Sequence, residues 1–247
     1  MIKHSIFYWL IKLNTLIFFL LFFSNKQSKA QNKFDAGIMA AVVASQVDGD
    51  NLGGFHKPGF SAGFWTSRFI NEKQNMKFQL EMKFIQKGSQ TSSLSLRNDS
   101  NNTNAFNSQN AYNANLFYQM KLNYVEIPFL LQYHKKGFIY ELGSSIGGLV
   151  SAKIYDNYGE VPEGNADSPQ SNPFNRMEWT ANIGLGHKLG DRLFTIWRLD
   201  TSVLPIRPYQ ISANTYNFYR FQFGQYNRLL EFAFYYTFGK KKEAENE

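Results

Sequence analysis

Histidines and carboxylates are the first places to look for chemistry in this chain. The sequence has four histidines and no cysteine. A metal site needs such ligands to converge, commonly two positions apart on a strand or four apart on a helix. None of His56, His134 and His187 has a second histidine at either spacing, and His4 lies in the apolar N-terminal stretch. Hydrolytic chemistry would need a hydroxyl or a carboxylate beside an imidazole. Asp48 or Asp50 with His56 is the only such grouping that could face outward. The fragment "DGDN" that holds the two aspartates resembles the start of a calcium loop, but the later acidic ligand is missing and turn-forming residues surround it. It reads as a Gly/Asp-rich turn. The expectation is therefore no catalytic residue, no metal and no cofactor, so not an enzyme.

The ends of the chain bound the elements that would position any site. Residues 1–30 carry Lys3 and Lys12, the eight-residue run "LIFFLLFF" (Leu16–Phe23), and small residues at Ser28 and Ala30. A basic start, a short apolar run and a small-residue boundary are what a cleaved secretory signal peptide shows. The run is shorter than the roughly 20 residues a spanning helix needs. Removing Lys3, Lys12, Lys26 and Lys29 lowers the formal charge from +7 to +3, too little for a concentrated nucleic-acid-binding face. Disulfides are excluded. The expected organisation is a signal peptide at 1–30, one domain at 31–239 and a charged tail at 240–247, which reads as solvated.

The domain alternates. Phe78 and Leu80 interleave with Glu81 and Lys83, and Trp179 interleaves with Glu178. Trp197 interleaves with Arg198 and Asp200, and Phe232, Phe234 and Phe238 with Glu231. The segment from Phe138 to Ile154 places Glu141, Gly143, Ser145, Ser151 and Lys153 on its second face. Period-two patterning over ten or so residues marks a strand with two different environments. Eight such segments fit one closed sheet. An aromatic content of 17% suits strands that present alternate residues to lipid. Phe78, Leu80, Trp179, Trp197, Phe232, Phe234 and Phe238 are the expected lipid-facing set. Glu81, Lys83, Glu126, Glu141, Glu178, Arg198, Asp200 and Glu231 are the expected interior charges. Charges of both signs imply an ion-paired interior rather than an open pore, because eight strands leave room for little more than side chains.

The connections support this reading. "DGDNLGGFHK", 88–116, 156–175 and 207–226 are long, and they alternate with the short "NEKQN", "KKG" and "GDR". Outer-membrane barrels alternate in this way, with long extracellular loops and tight periplasmic turns. A soluble eight-stranded barrel that buries its apolar face around a ligand is the competing architecture, and alternation alone does not separate the two. Loop asymmetry favours an all-β, eight-stranded antiparallel up-and-down transmembrane β-barrel in the outer membrane, with both termini periplasmic.

One strand breaks phase. In "QMKLNYVEIPFLLQY" the apolar set runs Met120, Leu122, Tyr124 and then Val125, Ile127, Phe129. A β-bulge near Tyr124–Val125 would repair it and turn Glu126 inward. "YVEIPFLLQY", with Tyr124, Glu126, Ile127 and Pro128, resembles the Y-x-E-I-P-x-L-L motif of PorT-type outer-membrane β-barrel proteins. "GIMAAVVASQVDGDNLGGFHKPGFSAGFW" and "LEMKFIQKGS" resemble that family's opening hairpin and third strand. The resemblance spans the mature chain and rests on strand patterns. It implies an eight-stranded outer-membrane barrel of a Gram-negative cell, with a founding member tied to type IX protein secretion. The chain departs from relatives that stop at their final aromatic, since nine residues follow Phe238.

Two functions follow as expectations. The first is a structural or accessory component of the cell envelope, with outer-membrane lipids, envelope or secretion-system proteins, and the assembly machinery as partners, and no nucleic acid. The alternative is a surface adhesin or recognition barrel that binds through the Asn/Ser-rich loop 88–116 and the aromatic-rich loop 207–226.

Overall fold

The computed structural model describes residues 34–50, 52, 54–91, 117–165, 168–207 and 224–239. The segment expected to be a signal peptide, the tail at 240–247 and most of loops 88–116 and 207–226 lie outside the described residues. Among the described residues no helix is long and apolar enough to cross a membrane.

The alternating segments form strands β1 (Phe34–Asp48), β2 (Lys57–Phe69), β3 (Met76–Gln90), β4 (Gln119–Lys135), β5 (Phe138–Asp156), β6 (Gly159–Glu160), β7 (Met177–Lys188), β8 (Leu193–Ser202) and β9 (Tyr226–Thr237). Hydrogen bonding follows chain order from β1 through β5, passes to β7, β8 and β9, and returns to β1. Antiparallel pairing of β1 with β9, from Gly37↔Thr237 to Asp48↔Tyr226, shuts the ring. Eight long strands therefore make a closed antiparallel barrel. The two-residue β6 only folds back on the end of β5, through Tyr155↔Glu160 and Asp156↔Gly159. Closure leaves the eight long strands without an open edge, which a bilayer would penalise by several kcal/mol per unpaired group.

Connections at one end are short. Lys136 and Gly137, with φ of 49° and 84°, form a two-residue turn of the kind that needs positive φ at both positions. The opposite end carries the longer connections. Outward-facing aromatics collect near the short-turn end, where Tyr133 lies 6.3 Å from Tyr140 and Tyr236 lies 6.1 Å from Phe238. Such a ring suits a membrane interface.

The phase break lies elsewhere than the sequence suggests. β4 alternates throughout, with Met120, Leu122, Tyr124, Glu126 and Pro128 all inward. The register irregularity falls at Asn123/Tyr124, where Asn123 pairs with Ser151 but Tyr124 pairs with Leu149, so Val150 of β5 is the extra residue. The bulge is thus on β5 rather than on β4. It also turns Ser151 and Lys153 away from the face of Glu141, and brings Ala152 and Ile154 inside. Met120, Leu122 and Tyr124 are apolar because the lumen is apolar at that height. With Val43, Val47, Ile85, Val161, Phe174, Ile206 and Leu229 they form a cluster at the long-loop end.

Candidate functional site

The lumen is where the chain concentrates its polar chemistry. Inward positions on β3, β4, β5, β7, β8 and β9 place Glu81, Lys83, Lys87, Glu126, Glu141, Glu178, Arg198, Asp200 and Glu231 in a buried interior. Glycine makes room for them. A Cβ on Gly184 would come within 3.0 Å of Glu141 Oε1, and one on Gly147 within 3.1 Å of Glu126 Cγ.

Arg198 is the hub. Its NH2 and NH1 donate to Glu81 Oε1 and Oε2 at 2.9 and 3.0 Å, a fork-to-fork pair. Its Nε donates to Glu141 Oε1 at 2.6 Å and NH1 also reaches Glu231 Oε2 at 3.2 Å. The Tyr235 hydroxyl accepts from Arg198 at 2.9 Å and donates to Glu81 Oε1 at 2.8 Å. Lys83 donates to Glu231 Oε2 at 2.7 Å, and the Ser61 hydroxyl donates to the other oxygen of that carboxylate. Gln79 donates to Glu81 at 2.7 Å and Gln132 to Glu141 at 2.9 Å.

A second group lies nearer the apolar cluster. Lys87 pairs with Glu126 and, at 3.0 Å, with Glu178. Ser202 and Asn227 donate to Glu178 Oε1, and the Asn182 amide donates to Asp200 at 2.5 Å. In these two groups, six carboxylates face only Lys83, Lys87 and Arg198, so hydroxyl and amide donors supply much of the remaining solvation. A buried charge tolerates this setting only when paired and hydrogen-bonded. On the short-turn side Trp65, Phe194 and Tyr235 continue the filling, with Phe194 stacked on Tyr235 at 4.6 Å. A depression at that end, lined by Asp35, Trp65, Lys77 and Gln132, holds about 30 Å³, room for a water molecule or two.

The expected interior residues Glu81, Lys83, Glu126, Glu141, Glu178, Arg198, Asp200 and Glu231 are all buried in the lumen. Phe78, Trp179, Trp197, Phe234 and Phe238 are exposed on the outer face, and Leu80 and Phe232 are half-exposed there. Of the motif residues, Tyr124, Glu126 and Pro128 point inward and Ile127 outward. Lys87 and Ser61 are members of the network that sequence reasoning missed. β3 continues two turns of alternation beyond Phe84, and Ile85 on its inner face hides that Lys87 belongs to the same row as Lys83.

The carboxylates of the first-loop grouping have partners of their own. Asp48 pairs with Arg228 at 3.0 Å, Asp50 accepts from the Leu52 amide at 2.9 Å, and the His56 amide bonds Gly54. Among the described residues no group of three potential metal ligands converges. Burial pushes the Asp50 carboxyl up to about 6 from its ordinary 3.8, against the Leu52 amide bond that holds it down. The neutral acid is thus the form the folded loop prefers. Its stabilising contribution is complete below about pH 4 and is lost as pH rises through 6. Protection of the His56 amide from hydrogen exchange, corrected for intrinsic rates, should fall about tenfold between pH 5 and 7.5. In Asp50→Asn it should stay level. Equal pH dependence in both proteins would rule the assignment out.

A closed barrel with an apolar outer band, a charged and filled interior, and long and short connections segregated to opposite ends defines the class: an outer-membrane β-barrel. The family described as outer membrane protein beta-barrel domain matches residues 23–206, and the chain belongs to it. The chain is also similar, at low identity, to solved structures. Ail, the attachment invasion locus protein of Yersinia pestis, is 10% identical with a TM-score of 0.43, over 83% of this chain and 99% of that one. Neisserial surface protein A is 9% identical with a TM-score of 0.44, over 83% and 97%. The outer membrane protein OprG from Pseudomonas aeruginosa is 9% identical with a TM-score of 0.33, over 84% and 95%. No curated protein matches the chain.

Proposed function

We propose that this barrel is a non-conducting accessory component of the outer membrane, of the PorT type, that acts by binding other envelope proteins. The observation that carries the reading is the lumen. Apolar side chains occupy the long-loop end, the ion-paired network centred on Arg198 occupies the middle, and stacked aromatics occupy the short-turn end. An interior filled in this way is suited to holding a scaffold rigid, and ill suited to passing a solute. In this reading residues 1–30 are an export signal, both termini are periplasmic, and the long connections face outward. The residues Tyr124, Glu126, Ile127 and Pro128 support the PorT likeness, and with it a link to type IX secretion.

The test joins two measurements on the full-length protein. Planar-bilayer recordings should show no steady conductance; large stable openings would contradict the filled interior. Cross-linking in intact cells should repeatedly join the barrel to the same secretion or envelope proteins. Recovery of the barrel alone, or of a host ligand lost when loops 88–116 and 207–226 are deleted, would overturn the accessory role in favour of a solitary barrel or a recognition protein.

A further inference from the structure

The outer face of β4 and β5 changes from apolar to basic across a few residues at the long-loop end. Val125 pairs with Gly148, Asn123 with Ser151 and Lys121 with Lys153. Lys121, Asn123, Val125, Gly148 and Lys153 all face outward. Gly148 pairs on its other side with Met177, which is 70% exposed. A Cβ placed on Gly148 would meet nothing within 4 Å. The wall therefore carries a notch, flanked by Val125 and Met177 and bordered by the bulged Val150.

Above the notch the Asn123 amide donates to Ser151 Oγ at 2.8 Å, which uses both side chains locally. The next pair outward is two lysines directly opposite each other. Like charges in that position on neighbouring strands are destabilising. Each ammonium is held in place by a neighbour. Lys121 lies 4.6 Å from the Tyr155 ring centroid and Lys153 lies 2.9 Å from Glu160 Oε2. Glu160 supplies one negative charge against two positive ones. An anion between the lysines would remove the repulsion, and its position lies directly over an indented apolar surface.

We propose that Lys121, Lys153 and the notch at Gly148 form a binding site for a phosphate-bearing lipid of the leaflet at the long-loop end. The phosphate sits between the two ammonium groups and an acyl chain runs down over Gly148 between Val125 and Met177. The site depends on the membrane placement of the barrel, since in water nothing would cover the notch. No bond is made or broken; recognition is by charge and shape.

The experiment uses the purified full chain in detergent micelles, with retained lipid read by native mass spectrometry. The probes are bisphosphorylated lipid A, its dephosphorylated form and inorganic phosphate. The wild type should retain bisphosphorylated lipid A in preference to the dephosphorylated form. The double variant K121Q/K153Q should retain it about thirtyfold less, as removal of two positive charges near an anionic surface implies. K121R/K153R should restore retention. Gly148→Leu, whose Cβ meets nothing within 4 Å, should fill the notch, weaken lipid A binding and leave inorganic phosphate unaffected. Displacement of lipid A by equimolar inorganic phosphate would identify a free-ion site and overturn the lipid assignment. Retention by K121Q/K153Q equal to wild type, in protein that still shifts on gels when heated, would overturn the site while leaving the barrel intact. A wild-type protein that never shows that shift would overturn the membrane placement itself.

Discussion

Replacing Arg198 by methionine is expected to destabilise the folded barrel by about 3–5 kcal/mol, the cost of removing one partner from a buried ionic cluster. The guanidinium serves Glu81 through two nitrogens and also contacts Glu141, Glu231 and Tyr235. Methionine fills much of the volume but leaves those carboxylates desolvated with fewer donors. The loss is in charge compensation more than in packing, so a second change should recover part of it. Glu81→Gln in the Arg198→Met background removes one uncompensated charge and keeps the shape. Arg198→Lys should fall between, because an ammonium keeps the charge but cannot make the fork to Glu81. Urea titration of the protein in lipid vesicles, followed by the heat-dependent gel shift, reads all three. Stability of Arg198→Met within about 0.5 kcal/mol of wild type, the range of an ordinary surface change, would mean that the cluster contributes little to the fold.

Trp197→Arg tests the opposite face. Trp197 is 61% exposed on β8 and stacks on Phe232 of β9 at 4.3 Å between ring centroids. In water, replacing so exposed an aromatic by arginine would change stability by about 0.5 kcal/mol or less in either direction. Against hydrocarbon the same change costs about 2–4 kcal/mol at the bilayer midplane, with a further 0.5–1.5 kcal/mol or so from the lost ring pair. The expected result is a marked drop in folded protein in vesicles. Leu142→Arg, at a 63% exposed outward position on β5, should behave likewise. Neutral behaviour at both sites would favour the competing soluble, ligand-binding barrel.

The regular strands were legible because a side chain on a strand has only two directions to choose between. β7 alternates Trp179, Ala181, Ile183 and Leu185 outward with Glu178, Thr180 and Asn182 inward, and its sequence alone separates these sets. β5 was not legible in the same way. The bulge at Val150 follows Gly147 and Gly148, which offer no side chain to carry the phase, and Leu149 and Val150 are both apolar. β4 misled for the complementary reason. Its inner face passes from Met120, Leu122 and Tyr124 to Glu126 without a break, so a change in lumen composition looked like a change in direction. Sequence could put Arg198 and Glu81 on inner faces, but not bring together residues 117 positions apart. That pairing depends on strand order, stagger and tilt, which arise only when the barrel closes.

The most direct measurement of the central claim, a closed barrel with lipid outside and ion pairs inside, exploits the absence of cysteine. Single cysteines placed in turn from Trp179 to Leu185 on β7 can carry a spin label in reconstituted vesicles. Collision with oxygen, which concentrates in lipid, should be high at 179, 181, 183 and 185. At 180, 182 and 184 it should be low, with labels immobilised by the packed lumen. Preferential collision of the odd positions with a water-soluble nickel chelate, instead of oxygen, would contradict the account.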